Sequence, residues 1–267
     1  MSEWTPVGSF GNEGVKTMCG KAAVSHLKWK DVYAWATGLT PGSTLPPDPV
    51  SRKNISPSRL RRKSEPDSIV WETLPAIYAD GDYDRPIDAI WPFLPHWSRG
   101  QLPRNKDGKL ISTANARLRY EGPAFAPSYM GAWSKNCRVL IAVSWFYEFD
   151  SRVRPQIPYA VFPLHAKFWM LCGLASWFVA EDGTKKLSTS IITVEPNAVL
   201  KSVGHHRSPA ILRSPDEAGQ WLRAPKQEAL ELLRPFPEES MAVEEIPMGI
   251  KIPGNENITL PGCLDRR

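Results

Sequence analysis

Cys19 is the residue whose type and setting suggest the most specific chemistry in this 267-residue chain, where it stands in the run Met18-Cys19-Gly20. A cysteine at a free N-terminus carries an amine and a thiol on adjacent carbons, and the two can close a five-membered ring on an aldehyde. Within the full chain its nitrogen is a planar amide whose delocalised lone pair cannot attack. We therefore expect residues 1–18 to be absent from the active form. The structural alternative is that a lone cysteine is usually a small buried hydrophobe.

Three polar groups further along the chain could assist this nucleophile. His205 and His206 precede Arg207 at a predicted helix exit, where an imidazole can exchange protons near neutral pH; a helix-capping role is the alternative. Glu148 lies among aromatic residues, which would raise its pKa and suit a general acid, unless it reaches solvent at a strand end. Asn115 could orient an amine or a thiol, although asparagine more often makes a turn.

Charge and cysteine content favour an intracellular protein with an anionic partner. The formal net charge is +5 and the pI is about 9.0, a modest excess that ordinary soluble proteins also show. The four cysteines show no metal-finger spacing and no acidic residue or cysteine near the histidine pair completes a coordination sphere, so we expect no metal and no cofactor. Residues 1–17 lack a signal-peptide pattern, and no run of about 18 apolar residues occurs. These features predict a soluble cytoplasmic protein with no membrane partner.

Several basic and aromatic side chains could bind a nucleic acid. The segment from Arg52 to Lys63 is rich in basic residues and is either a solvated loop or a track for phosphates. Arg117 and Arg207 could each hold a phosphate through two hydrogen bonds. Residues 91–97 (WPFLPHW) add rings that could stack on bases, although most of the 11 tryptophans must lie in the core.

The elements that must position these residues are mostly strands. Residues 27–37 have apolar side chains at helical spacing and predict a helix, whereas residues 41–66, rich in Pro, Ser and basic side chains, predict a long loop. A hairpin connection is predicted between Glu148 and Pro158. Short runs rich in Val, Ile and aromatic residues predict antiparallel strands, namely 68–78, 88–97, 138–149, 158–162, 168–178 and 187–194.

Strand alternation gives Glu148 a defined side of its strand. It shares one face with Phe146 and Asp150, whereas Tyr147 and Phe149 face the other way. A carboxylate in such an aromatic strand is desolvated, which favours its neutral form.

Short helices follow in the second half of the chain. Residues 195–203 predict a helix stopped by Gly204, Ser214 offers an N-cap for the next helix, and residues 226–233 predict another. One strand is expected after residue 240. The predicted fold class is therefore α+β, a mostly antiparallel sheet with peripheral short helices.

Taken in order, the motifs resemble those of the SOS response-associated peptidase (SRAP) family, which includes the bacterial YedK-type and eukaryotic HMCES-type proteins. The resemblance rests on the order and spacing of motifs that are individually weak: Met18-Cys19-Gly20, Asn54-Ile55-Ser56-Pro57, Trp91 to Trp97, Asn115-Ala116-Arg117, Phe146-Tyr147-Glu148-Phe149 and His205-x-Arg207-x-Pro209. It implies one SRAP-like domain over residues 19–255, an open barrel with peripheral helices. Residues 1–18 are then an N-terminal extension and residues 256–267 an irregular tail.

The resemblance implies a DNA-damage (SOS) response protein that recognises abasic sites in single-stranded DNA and crosslinks to them as a thiazolidine. Carried over by position, Cys19 matches the nucleophile and Asn115 the orienting amide. Glu148 matches the acid/base carboxylate and His205 the proton shuttle. The positions that match DNA-binding residues are Lys21, Asn54, Pro57, Trp97, Arg117 and Arg207. A monomer is expected, cytoplasmic and associated with the nucleoid when bound to DNA.

The chain departs from the family pattern at five positions. Lys21 replaces the arginine that usually follows the Met-Cys-Gly run, and Arg119 stands where an acid usually follows the Asn-Ala-Arg motif. Phe149 replaces a tryptophan and His206 an acid. Ser98 stands in place of the second aromatic residue of a wedge.

Two alternatives remain open at this point. Cys19, His205 and Asn115 could instead form the site of a thiol-dependent peptidase, which would cut peptides or the bond before Cys19 itself. The chain could also be a DNA-binding module without catalytic activity, which would bind in a salt-sensitive manner.

Overall fold

The structure, a computed structural model, describes residues 20–62 and 65–265 of the chain. Over these residues the fold is α+β, which confirms the predicted class. The strands are β1 (Lys21–Val24), β2 (Arg52–Ile55), β3 (Arg59–Arg62), β4 (Glu65–Val70), β5 (Thr73–Asp80), β6 (Tyr83–Ile90), β7 (Asn115–Arg117), β8 (Arg138–Val143), β9 (Trp145–Asp150), β10 (Ile157–Pro163), β11 (Trp169–Val179), β12 (Lys185–Val194), β13 (Ser208–Pro209) and β14 (Met241–Glu245). The α-helices are α1 (Trp29–Trp35), α2 (Pro127–Ser134), α3 (Ala198–Ser202), α4 (Glu217–Arg223), α5 (Lys226–Glu231) and α6 (Gly262–Asp265).

One sheet closes on itself as a barrel. Its strands follow the order β11-β8-β5-β6-β12, and β12 also pairs with β11, so the path returns to its start. The short strands β7 and β13 both pair with the end of β12, β7 in parallel and β13 antiparallel. β8 is buried along its whole length, which fits its near-continuous apolar sequence RVLIAV.

A second sheet carries the strand on which Glu148 lies. Its order is β14-β10-β9-β1-β2, with β9 between β10 and β1. The β9–β10 pairing is antiparallel and joins Glu148 to Tyr159, which confirms the predicted hairpin connection. A separate pair, β3–β4, forms a third small sheet.

The core follows from the alternation of side chains along β9. Phe146 packs into the large apolar cluster shared with the barrel, whereas Trp145 and Tyr147 pack into a second cluster on the opposite face. This confirms the predicted faces of the strand. The second cluster is covered by the C-terminal part of the chain, through buried Ile246, Ile250, Ile258, Leu260 and Leu264.

The prediction of a long loop over residues 41–66 was wrong, because β2 and β3 lie within it and β4 begins there. Carboxylates distant in sequence pair with its basic side chains. Glu72 Oε2 lies 2.5 Å from Arg52 Nη1, and Glu256 Oε1 lies 3.7 Å from Arg52 Nε. The sequence pattern of this segment could not reveal those partners.

Two further expectations need correction. The predicted strand over residues 88–97 ends at Ile90, because the two prolines that follow lack the N–H that a sheet ladder needs. Helix α4 begins at Glu217, later than an N-cap at Ser214 would place it, and the Glu217 carboxylate accepts a hydrogen bond from the backbone N–H of Arg213 at 2.7 Å. The helix stopped by Gly204 and the late strand after residue 240 are both present as α3 and β14. Within the described ranges, no helix is long and apolar enough to cross a membrane.

Candidate functional site

A buried acid–histidine pair forms the centre of the candidate site. His205 Nε2 lies 2.8 Å from Glu148 Oε2, with side chains 9% and 2% exposed. Glu148 projects from β9 and His205 from the loop that follows α3. Strand alternation therefore supplies one partner, and the helix stop at Gly204, whose φ is +71°, directs the other towards it.

The surroundings of His205 set its proton affinity. Burial lowers the pKa of His205, but the nearby charge of Glu148, the hydrogen bond to it and the contact of Nδ1 with the Arg207 carbonyl outweigh burial, so the pKa is raised above its ordinary value. That carbonyl lies 3.1 Å from Nδ1, which makes Nδ1 a donor. The exposed ring of His206 stacks on His205 with centroids 5.4 Å apart. His205 is thus held at both ring nitrogens, with a pKa above its ordinary value.

The structure brings the Asn115-Ala116-Arg117 motif and the histidine motif to the same end of β12. In the sheet register, Thr193 pairs with Arg117 on one side and with Pro209 on the other. Asn115 is half-buried, and its backbone carbonyl accepts a hydrogen bond from the Tyr129 hydroxyl at 3.0 Å. Two motifs that lie far apart in sequence therefore meet across one strand.

Arg207 and Arg117 have different environments. Arg207 is 3% exposed, and its guanidinium donates to the backbone carbonyls of Thr193 and Leu118. Burial and the charge of Arg117 lower the pKa of Arg207. Arg117 is exposed at the end of β7. Of the two arginines predicted to bind a phosphate, Arg117 is the one that faces solvent.

Lys21, on β1, and Asn54, on β2, are buried and hydrogen-bond to each other. Lys21 Nζ donates to Asn54 Oδ1 and Ser56 Oγ, both at 2.8 Å. Burial and the charge of Arg59 lower the pKa of Lys21 to about 8, against the opposing effect of Glu72. Both polar heads are therefore engaged inside the protein, and direct DNA contact by either residue stays a prediction.

The Asn54 amide also ties β2 to the C-terminal segment. Its Nδ2 lies 2.7 Å from the Ile252 carbonyl oxygen and 3.2 Å from that of Asn255. Asn54 is fully buried. Its side chain thus joins residues about 200 positions apart in the chain.

Among the predicted wedge residues, Pro57 is half-buried and Trp97 is 45% exposed. Trp97 lies in a short 3-10 turn, His96–Ser98. The earlier aromatics of the run, Trp91 and Phe93, are buried in the core. Trp97 is therefore the aromatic side chain of this run that a base could reach.

Cys19 lies outside the described residues, so its role stays a prediction. The described chain starts at Gly20, and β1 follows at once. β1 runs antiparallel to β9, with Lys21 opposite Tyr147 and Ala22 opposite Phe146. The chain thus enters the fold alongside the strand that carries Glu148.

Sequence analysis missed the contribution of Arg152. It forms an ion pair with Asp150, two residues beyond Glu148 on the same face of β9. The alternation of the strand placed Asp150 on this face, but nothing in the hairpin sequence indicated which partner it would take. Within the part of the chain that the structure describes, no group of three or more His, Cys, Asp or Glu side chains is arranged to hold a metal ion.

Comparison with known proteins agrees with the fold and the motif order. The model of the SRAP family, described as SOS response associated peptidase, matches residues 18–251. The chain therefore belongs to the SRAP family, and this membership supports a DNA-damage-associated function.

Solved structures share the fold at low sequence identity. A phage-related protein from Bordetella bronchiseptica is 20% identical with a TM-score of 0.57, and the match covers 90% of this chain and 100% of that one. A second protein from the same organism is 18% identical with a TM-score of 0.58, covering 85% and 100%. A protein from Bacteroides thetaiotaomicron is 24% identical with a TM-score of 0.52, covering 70% and 81%. No curated protein matches the chain.

Proposed function

We propose that the chain, once Cys19 is its N-terminal residue, forms a covalent thiazolidine with abasic sites in single-stranded DNA. The observation that carries the proposal is the buried Glu148–His205 pair, on a strand paired with β1, which begins two residues after Cys19. Membership of the SRAP family supports the same class of function.

The covalent chain constrains where the nucleophile can act. Lys21 lies opposite Tyr147 in the sheet, so the register continued by one residue brings Gly20 to the level of Glu148. Cys19 is joined to Gly20 by one peptide bond, which limits the separation of their Cα atoms to about 3.8 Å. This short tether supports the proposal that the amine and thiol of Cys19 act beside Glu148.

The proposed reaction balances with the loss of one water. The abasic sugar opens to its aldehyde as its anomeric hydroxyl loses a proton and the ring oxygen gains one, which Glu148 delivers as the acid of the Glu148–His205 pair. The amine of Cys19 adds to the aldehyde carbon and water leaves, which gives a Schiff base. The sulfur then adds to the same carbon, its proton passes to the nitrogen, and the five-membered ring closes. His205 shuttles protons during these steps, since an imidazole can both accept and donate a proton.

The amine needs little activation. An α-amine has an ordinary pKa of about 7.7–8.0, so a substantial fraction is deprotonated at neutral pH. The requirement is instead that the amine be free, because an amide nitrogen cannot attack. The proposal therefore needs protein in which the bond between Met18 and Cys19 is absent.

The test uses protein whose mass verifies Cys19 as the first residue, incubated with single-stranded DNA that carries one abasic site. We expect an adduct that survives heat and detergent, with the mass of protein plus DNA minus one water. A matched oligonucleotide with a tetrahydrofuran site, which cannot open to an aldehyde, should give none. Cys19→Ala should abolish the adduct. Absence of any adduct from verified protein would refute the proposal.

The remaining outcomes separate the alternatives. Salt-sensitive DNA binding without a covalent product would identify a binding module. A peptidase would cleave the full chain before Cys19 in the wild type but not in Glu148→Ala or His205→Ala, as intact-mass measurement would reveal. Cleavage alone, without an adduct from the processed chain, would favour the peptidase over the crosslinking protein.

A further inference from the structure

A second ion pair lies beside the acid–histidine pair, between Asp150 and Arg152. Arg152 Nη2 lies 2.7 Å from Asp150 Oδ2, and its Nε lies 3.0 Å from Asp150 Oδ1. The backbone N–H of Arg152 also donates to Asp150 Oδ1 at 2.9 Å. The Asp150 side chain is 6% exposed, whereas that of Arg152 is 57% exposed. The carboxylate is thus buried and its guanidinium partner covers it from the solvent side.

Arg152 also reaches the segment that carries His205. Its Nη2 donates to the backbone carbonyl of Ser202 at 2.8 Å. Ser202 is the last residue of α3, where a cation is favoured by the unpaired carbonyls and by the helix dipole. One guanidinium therefore links the end of β9 to the end of α3.

Gly204 packs directly against this ion pair. A Cβ at Gly204 would lie 2.4 Å from Asp150 Oδ1 and 2.6 Å from Arg152 Nε, distances that real Cβ atoms do not show. Its φ of +71° also disfavours any other residue. The backbone at Gly204, just before His205, thus packs closely against the side chains of Asp150 and Arg152.

These contacts form two adjacent connections between the same two segments. Glu148 and Asp150 are two residues apart on one face of β9, a spacing of about 7 Å along the strand. Glu148 contacts His205, and Asp150 contacts Arg152, which contacts Ser202. We propose that Arg152 is a positioning residue, which holds the Ser202–His205 segment against β9 so that the imidazole of His205 stays aligned with Glu148.

The proposal concerns geometry rather than stability. An ion pair with one exposed partner adds little to folding, because solvent screens it and the long side chain loses conformational freedom. Such a pair can still fix the orientation of a short loop. The groups that face His205 are Glu148 from β9 and, from its own loop, His206 and the Arg207 carbonyl. If the imidazole of His205 were misaligned with Glu148, burial would become the dominant effect on its pKa and would lower it.

The direct test is an NMR titration of the His205 imidazole in the wild type and in Arg152→Gln. Loss of the Arg152 charge alone would raise the pKa of His205, whereas misalignment with Glu148 should lower it by about one unit, since an opposite charge in contact shifts a pKa by about 1–3 units. We expect the second effect to dominate in the variant. Arg152→Lys, which can pair with Asp150 but lacks the planar fork, should give an intermediate value. Gly204→Ala should lower the pKa as Arg152→Gln does.

The matched control is Arg85→Gln, which removes another exposed arginine from an ion pair, with Asp80 at 2.6 Å. It should leave the pKa of His205 unchanged. Thermal unfolding of Arg152→Gln should resemble that of the wild type, which separates misalignment from loss of fold. A His205 pKa that is the same or higher in Arg152→Gln than in the wild type would overturn the proposal.

The consequence for activity rests on the proposed function. The pH at which the crosslinking rate is half-maximal should shift with the pKa of His205 in Arg152→Gln and stay fixed in Arg85→Gln. If wild-type protein forms no adduct, the proposed function fails, while the titration still decides whether Arg152 positions His205.

Discussion

Glu148 and Asp84 are both buried carboxylates, but their partners give them different chemistry. Asp84, on β6, is fully buried; its Oδ2 accepts from the backbone N–H of Thr40 at 2.8 Å, and its Oδ1 lies 2.7 Å from Arg223 Nη1. Glu148 is paired with His205 at 2.8 Å. A guanidinium stays protonated in proteins, whereas an imidazole gains or loses its proton near neutral pH.

Under the proposed function, the partner rather than burial distinguishes the reactive carboxylate of Glu148 from the structural one of Asp84. Asp84 links β6 to the end of α4 and to the chain after α1, and its charged partner Arg223 is a guanidinium, which does not titrate near neutral pH. Glu148 is instead paired with an imidazole, which is a titratable group. The predictions below test this distinction, from the largest expected effect to the smallest.

Replacing each carboxylate by its isosteric amide should affect the crosslinking rate differently at Glu148 and at Asp84. Glu148→Gln should lower the crosslinking rate by about 10²–10⁴-fold, the usual contribution of a general acid or base. Asp84→Asn should leave the rate nearly unchanged while the protein is folded. The measurement is the initial rate of adduct formation on abasic single-stranded DNA. Equal losses in the two variants would remove the distinction.

Stability should show the reverse order. Asp84→Asn should lower the free energy of unfolding by about 1.5–3 kcal/mol, because the fully buried carboxylate loses its charge-assisted hydrogen bonds to the Thr40 N–H and to the half-exposed Arg223 guanidinium. Glu148→Gln should cost less than about 1.5 kcal/mol, because a neutral imidazole can still hydrogen-bond to the amide. Urea unfolding near neutral pH measures both. A larger loss for Glu148→Gln would contradict the comparison.

Lys21 extends the comparison to a buried cation with neutral hydrogen-bond partners. Its pKa is lowered from 10.5 to about 8, so between these values the unfolded chain binds more protons than the folded protein. Stability should therefore rise with pH across this window, with a slope approaching about one proton. Lys21→Met should flatten that rise in urea unfolding measured at several pH values. An unchanged slope would show that Lys21 titrates normally.

The smallest effect is the pH dependence of the His205 contribution. Because its folded pKa is raised above 6.5, its stabilisation is complete below that value and is lost as pH rises through the folded pKa. The difference in unfolding free energy between wild type and His205→Asn should shrink accordingly. The corresponding difference for Asp84→Asn should stay constant over the same range, since a guanidinium does not titrate there.

The sequence predicted those parts of the candidate site whose structure depends on neighbouring residues in the chain. The two-residue period of β9 correctly gave Phe146 and Glu148 the same face, and Gly204 correctly ended α3 just before His205. These features depend on a few neighbouring residues. The contact between Glu148 and His205 itself needed the family motif order, because 56 intervening positions carry no local signal.

Long-range hydrogen bonds could not be predicted from the sequence. Asn54 and Lys21 read as surface DNA contacts, yet their polar groups meet each other and the carbonyls near Ile252 inside the protein. The basic segment after residue 50 was predicted to be a loop, because its composition gave no sign of the carboxylates that pair with it, Glu72 and Glu256, which lie about 20 and 200 residues away. The nucleophilic role of Cys19 stays a prediction, since that residue lies outside the described part of the chain.

The C-terminal segment has a consequence for aggregation. β2 is an edge strand, and the Glu256 carboxylate accepts from its backbone N–H groups at Lys53 (2.5 Å) and Asn54 (3.3 Å). Such edges recruit further strands when their N–H groups are bare. The family match ends at residue 251, but Ile258 and Leu264 beyond it cover the apolar face of the same sheet. A chain that ended at residue 251 would expose both the backbone N–H groups of β2 and the apolar face of this sheet. It should therefore self-associate even if its barrel remained folded.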